Sequence, residues 1–212
     1  MTTWVANDLS ALSQAEQSDQ RLLLPGISWQ RYSCWLDHAG DESGLRLLYL
    51  DGVLEIFMPS PEHELIKKAI ARLLERYAEE VEIELHAYGS TTFRQSSKAA
   101  GLEPDECYCI GTLKPQPDLA VEVNLTSGGL DKLAIYRAIG VPEVLIWQDQ
   151  QLRLYNLRGE RNEVADRSEF FPNLDISALA QFVQPQSQPG AIKAFVQWVR
   201  SGYAASYRIN NQ

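Results

Sequence analysis

The sequence predicts an α/β (α+β) fold in which helices pack against a mixed sheet. Three observations carry this. "LRLLYLDGVLEIFM" sets an Asp51-Gly52 pair between two strand-like runs, the preferred two-residue turn of a hairpin. Leu65, Ile66, Ala69, Ile70, Leu73, Leu74 and Tyr77 recur at helical spacing, which marks a long helix packed on a core. "PDLAVEV" and "PEVLIW" are short apolar runs joined through a helical segment, the pattern of strands connected across a sheet by a helix.

Taken in order, residues 1–20 are polar and aperiodic and read as a loose N-terminal arm. "SWQRYSCWLDHAG" reads as a short helix from Ser28, with Trp29, Tyr32, Trp35 and Leu36 as its apolar stripe and Gly40 near its end. The hairpin strands fall at 45–50 and 53–58. Ser60-Pro61 then supplies a hydroxyl cap and a proline at the first helical position, opening a helix that runs to about Glu80. Strands follow near 82–88, 91–95, 105–110 and 118–123, with 96–103 as a loop. A helix at 129–139 leads to strands at 143–148 and 151–157. "QPQSQPG" separates a last amphipathic helix at about 190–200. The organisation expected is an arm over 1–20, one domain over 21–184, and a C-terminal helix and tail over 185–212.

Composition narrows the function. The 212 residues are 45% hydrophobic, enough for one large domain with its own core. No apolar run reaches the roughly 18 residues of a membrane span, and the first residues lack the basic start and apolar block of a secretory signal. A cytoplasmic protein with no membrane partner is expected. Cys34, Cys107 and Cys109 form an odd set without framework spacing, which argues for free thiols in a reducing compartment. A net charge of -9 counts against a general nucleic-acid binder. Basic residues gather locally on the long helix, at Lys67, Lys68, Arg72 and Arg76. The last three share one face, read as a solvated surface pairing with Glu75, Glu79 and Glu80.

The candidate chemistry centres on Glu122. Alternation along its strand puts Leu119, Val121 and Val123 on one face and Asp118, Ala120 and Glu122 on the other. A buried carboxylate needs a cation, a metal or solvent. Asp118 lies about 13 Å along the strand, too far to share an ion with Glu122. Asp105 opens the preceding strand, and the connection "GTLKPQ" brings that strand back as a hairpin neighbour, only about 4.8 Å away. A metal held by Asp105 and Glu122 would suit phosphodiester hydrolysis, which also needs a cation at the developing charge. Lys132 sits in the first turn of the helix that leaves this strand, close to the strand end carrying Glu122. Cys107, Cys109 and His86 lack the spacing of a zinc site; the two cysteines read as core, His86 carries no signal, and Tyr136 reads as packing. No nucleophile-elbow sequence supports a serine hydrolase, and a carboxylate-pair glycosidase fits these residues less well than a metal and a phosphate.

At these residues the sequence resembles a known group. The order of helix, strand, Pro-Asp hairpin, strand ending in glutamate, helix and strand resembles the PD-(D/E)XK nuclease superfamily. More narrowly, "YLDGVLEIFMPSPEHELI", "EPDECYCIG", "QPDLAVEVN" and "DKLAIYRAIGVPEVLIW" are similar to the Uma-type family of putative restriction endonucleases, over about 27–157. The resemblance implies a restriction-endonuclease-like mixed central sheet flanked by helices, with an N-terminal hairpin extension. It implies a Mg2+- or Mn2+-dependent endonuclease acting on DNA, with Asp105 and Glu122 as metal ligands and Lys132 as the catalytic lysine. It adds His63 at the family's histidine position, and Glu62 or Glu64 as a further helix carboxylate. The superfamily's usual E-x-K would put lysine at position 124, which here is Asn124, so the role passes to Lys132. Symmetric cutting of duplex DNA raises a homodimer as an expectation. The alternative is a nuclease-fold module that binds nucleic acid or a protein partner without cutting.

Overall fold

Two sheets, rather than one, organise the strands. The computed structural model describes residues 18–39, 45–159 and 161–209. In chain order the elements are β1 (Gln20–Pro25), α1 (Trp29–Ala39), β2 (Arg46–Leu50), β3 (Val53–Met58), α2 (Pro61–Glu80), β4 (Leu85–Ala87), β5 (Phe93–Gln95), β6 (Ala100–Leu102), β7 (Glu106–Ile110), β8 (Leu119–Asn124), α3 (Lys132–Ile139), β9 (Glu143–Gln148), β10 (Gln151–Asn156), β11 (Glu163–Ala165), α4 (Ile176–Gln181) and α5 (Gln188–Ile209). The predicted mixed central sheet is present in the order β11-β10-β9-β8-β7-β4, with β8 and β9 parallel across α3 and the other pairs antiparallel. The predicted hairpin belongs to a second, antiparallel sheet in the order β1-β3-β2-β6-β5.

Local chemistry explains the boundaries. Asp51 and Gly52 both take positive φ, 45° and 89°, the turn that matches the strands' own twist. Ser60 caps α2 by accepting from the His63 backbone N–H at 3.2 Å. α3 begins at Lys132 rather than 129 because Gly128 and Gly129 turn with φ 92° and 93° and Asp131 then caps the helix through the Ala134 N–H. Gly140 at φ 90° ends it. The segment expected as a loop over 96–103 contains β6, whose three residues are too few to display a period.

Two expectations near the termini are revised. Residues 1–17 of the expected arm, and Gly40, lie outside the described residues. Asp19 and Gln20 are not loose: Asp19 is 7% exposed and Gln20 opens β1 against Met58. The last helix extends well beyond 190–200, over Gln188–Ile209, and sets Phe195 and Val199 into the main core. α4 and β11 have no counterpart in the sequence reading; both are short, and α4 depends on an aspartate cap, Asp175.

Three apolar clusters stack between these layers. α2 and α5 pack on one face of the central sheet through Ile70, Leu74 and Phe195 against Val121, Val123 and Leu145. On the opposite face Ala120, Val144 and Ile146 meet Ile135 and Ile139 of α3 and Leu48 and Phe57 of the second sheet. Tyr32 of α1 stacks on Tyr49 beyond that sheet, with centroids 4.8 Å apart. Glu122 therefore projects into the seam between the two sheets and α3. No helix among the described residues is long and apolar enough to cross a membrane.

Gly101 of β6 sets how closely α1 approaches. A Cβ there would meet the Tyr32 Oη at 2.4 Å, and that hydroxyl is buried without a hydrogen-bond partner among the described residues. Gly101→Ala is expected to destabilise the fold by about 1–3 kcal/mol through overpacking. Tyr32→Phe removes a buried unsatisfied hydroxyl and is expected to be neutral or stabilising, and to make Gly101→Ala less harmful. Urea unfolding of the two single variants and the double variant measures this; additive effects would dissociate the glycine from the tyrosine.

Candidate active site

The ends of β7 and β8 bring the predicted carboxylates together. The register pairs Glu106 with Val121, so Asp105, one residue earlier, faces Glu122, one residue later, on the same side of the sheet. Asp105 is fully buried and Glu122 is 1% exposed. Asp105 Oδ2 accepts the Val123 backbone N–H at 2.7 Å, which fixes the aspartate across the two strands. Asp118 is excluded from this cluster. It accepts from Lys114 at 2.6 Å and from the Ile110 backbone at 2.8 Å, toward the other end of β8.

Each carboxylate has its own donors. Asp105 Oδ1 is held by the Arg46 guanidinium and lies 2.8 Å from His63 Nε2. Glu122 Oε2 accepts from Lys132 Nζ at 2.5 Å, and Oε1 accepts the Tyr136 hydroxyl. Lys132 thus reaches Glu122 from the first turn of α3. Its ammonium also lies 5.3 Å from the Phe57 ring centroid. Burial and the adjoining Glu122 push the Tyr136 phenol well above its ordinary range, so it stays a donor at neutral pH. Tyr136, read from sequence as packing alone, is packed and also polar. Its α-helical spacing of four from Lys132 was the signal available.

The start of α2 supplies the second side of the site. His63 is fully buried and faces Asp105. Glu62 is exposed and lines a groove with Asn124 and Trp147. Glu64 is the helix carboxylate turned toward the cluster, 2.9 Å from Arg46 and 2.5 Å from Lys67. Burial alone would raise the Glu64 carboxyl, but its hydrogen bond to Lys67 and the charges of Lys67 and Arg46 carry it below the usual range. The basic face of α2 is paired, with Lys68 on Glu106, Arg72 on Gln188, and Arg76 on Glu79 and Glu80. Glu106 thus takes the lysine that the sequence reading assigned to the acidic residues of the helix itself.

Three site residues were missed by sequence reasoning. Arg46 on β2 is 7% exposed and bridges Asp105 to Glu64, with Glu103 at 3.8 Å. Asp19 accepts the Ser60 backbone N–H at 2.8 Å and lies 3.1 Å from His63 Nδ1. Its burial raises its carboxyl, but the hydrogen bonds from His63 and Ser60 outweigh this and hold it below the usual range. Glu55, fully buried on β3, accepts the Leu130 N–H at 2.6 Å and pairs with Arg21 at 3.1 Å. That pair seats the Gly128-Gly129 turn, since Arg21 also donates to the Gly128 carbonyl at 3.0 Å, and so sets where α3 presents Lys132. A charged residue within an apolar strand run was the only available signal for Arg46 and Glu55.

The donor set fits a hard divalent cation. A carboxylate offers about four lone-pair sites. Three of the four oxygens here, Asp105 Oδ2 and both of Glu122, accept one side-chain or backbone donor each. Mg2+ commonly takes one or two carboxylates and keeps several waters. Among the described residues no group of three or more His, Cys, Asp and Glu side chains is arranged to hold a metal ion. That leaves two carboxylates with water as the coordination available. The Cys107 and Cys109 thiols are buried, pointing at the carbonyls of Gly89, Lys114 and Gln116.

A family model, Uma2, described as a putative restriction endonuclease, matches residues 29–187, well over half of the chain. No curated protein matches it.

Proposed function

The chain belongs to the Uma2 family of putative restriction endonucleases, and from that premise we propose that it is a divalent-metal-dependent endonuclease hydrolysing DNA phosphodiester bonds, with Mg2+ or Mn2+ at Asp105 and Glu122. One observation carries this reading: two buried carboxylates face each other on adjacent strands with Lys132 on one and Arg46 and His63 on the other. Bound there, the ion would supply Lewis-acid polarisation of a phosphate oxygen and a water of lowered pKa.

The chain's own residues do the rest. Tyr136 and Lys132 orient Glu122, and Val123 N–H, Arg46 and His63 orient Asp105, so both carboxylates are fixed before substrate arrives. Lys132 is the cation available to the charge that builds on the phosphate, where an amine in a low-dielectric seam acts more strongly than in water. Glu122 is its present partner, which holds the lysine beside the proposed metal site. A cytoplasmic, reducing setting is consistent with three free thiols. Two such sites, in a homodimer, would cut both strands of a duplex.

A second reading, a nuclease-fold module that binds without cutting, draws on the same ion pairs: each carboxylate is already charge-balanced by an internal cation. One assay separates them. Purified protein is incubated with supercoiled DNA, linear duplex, single-stranded DNA and RNA, with Mg2+, Mn2+ or EDTA. The enzyme reading expects cleavage of DNA that EDTA stops; salt-sensitive DNA binding without any product under all metals selects the binding module.

A further inference from the structure

We propose that Asp19, which lies upstream of the family-matched residues, is a positioning residue for Asp105, acting through His63. The inference rests on the nuclease reading above, since Asp105 is its proposed metal ligand. His63 is fully buried, and both of its polar atoms face carboxylates: Nδ1 lies 3.1 Å from Asp19 Oδ2 and Nε2 lies 2.8 Å from Asp105 Oδ1. The ring also packs on Phe57, with centroids 5.4 Å apart. A half-turn of the ring would set carbon atoms against both carboxylates, so the two acceptors together select one orientation. Asp19 is the anchor at one end. It is itself fixed by the Ser60 backbone N–H at 2.8 Å, at the cap of α2.

The consequence reaches the metal ligand. Asp105 Oδ1 is contacted by Arg46 and by His63 Nε2, while Oδ2 accepts the Val123 N–H. Releasing Nδ1 of His63 loosens one of the two contacts on Oδ1. Partners of this outer kind typically change metal affinity by about 10–100-fold when removed. A short segment before β1, outside the family-matched residues, thereby becomes part of the site's support.

The test uses the full chain. Asp19→Asn keeps the oxygen that receives the Ser60 N–H and replaces the acceptor at His63 Nδ1 with an amide donor, so it alters the histidine contact selectively. Metal-free wild type and variant are titrated with Mn2+ alone, without DNA, by electron paramagnetic resonance, and melting temperatures are read in parallel. Asp19→Asn is expected to bind Mn2+ about 10–100-fold more weakly. Asp175→Ala, which removes the side-chain cap of α4, is expected to lower the melting temperature with no change in Mn2+ affinity. Equal Mn2+ affinity in wild type and Asp19→Asn overturns the proposal. A second readout does not depend on metal: the amide proton of Val123, which reports the Asp105 carboxylate, is followed by NMR in the metal-free proteins. It is expected to shift in Asp19→Asn. If wild type binds no Mn2+, the metal-site reading fails on its own, and an unmoved Val123 amide then overturns the positioning role as well. Asp19→Glu, which keeps a carboxylate but displaces it by one methylene, is read in the same way and serves where Asp19→Asn does not fold.

Discussion

Asp105→Ala and Glu122→Ala are each expected to abolish metal-dependent cleavage of DNA, and Lys132→Met to slow it by about 10²–10³-fold in kcat, the usual cost of removing one donor from a developing oxyanion. The three differ in what they remove. In the proposed site each carboxylate is half of a two-ligand set, so losing either leaves a single side chain to hold the ion. Lys132 is not a ligand. Its removal is expected to lower kcat and kcat/KM together with little change in KM, the pattern of an interaction made only in the transition state. Cleavage of supercoiled plasmid under a Mg2+ titration, with circular dichroism as the check on folding, reads all three. Wild-type rates in Asp105→Ala would remove the basis of the enzyme reading. A Lys132→Met variant changed only in KM would transfer the lysine to substrate binding.

Much of this arrangement was legible because the relevant signals are local or of fixed period. The Asp51-Gly52 turn, the Ser60-Pro61 cap and the alternation along β8 are decided within a few residues, and each appears where predicted. Rejection of Asp118 in favour of Asp105 needed only strand geometry, and the register agrees. The second sheet was hidden because β6 and β5 have three residues each and β1 has no alternation, its leucines being in part exposed at a sheet edge. Asp19, Arg46 and Glu55 were hidden for a different reason. A charge in sequence carries no record of its burial, and their partners lie 44, 59 and 75 residues away. Glu62 and Glu64 stayed open alternatives because both occupy the first turn of α2, and only the direction of the helix in the fold selects between them.

Arg46→Met is expected to destabilise the metal-free protein by about 3–5 kcal/mol, the range for leaving one member of a buried ion pair without its partner. Asp105 is fully buried and Arg46 is 7% exposed, so solvent screening gives little relief. Glu64 is partly exposed and Glu103 is 3.8 Å away, so the loss arises mainly at Asp105. Val123 N–H and His63 remain on that carboxylate, which places the expected value toward the lower end. The same substitution should strengthen divalent-ion binding, because it leaves the negative charge of Asp105 without its nearest internal cation. Ion binding to the folded state adds stability as RT ln(1 + [L]/Kd), about 2.7 kcal/mol at a hundredfold excess over Kd. Mg2+ is therefore expected to stabilise Arg46→Met more than wild type at the same concentration, recovering part of the loss. Urea unfolding of both proteins in EDTA and in Mg2+ measures the two effects separately. An equal Mg2+ response would mean that Arg46 and the ion do not compete for Asp105, whereas a larger response in the variant identifies the arginine as the internal counter-charge that keeps the metal-free site folded.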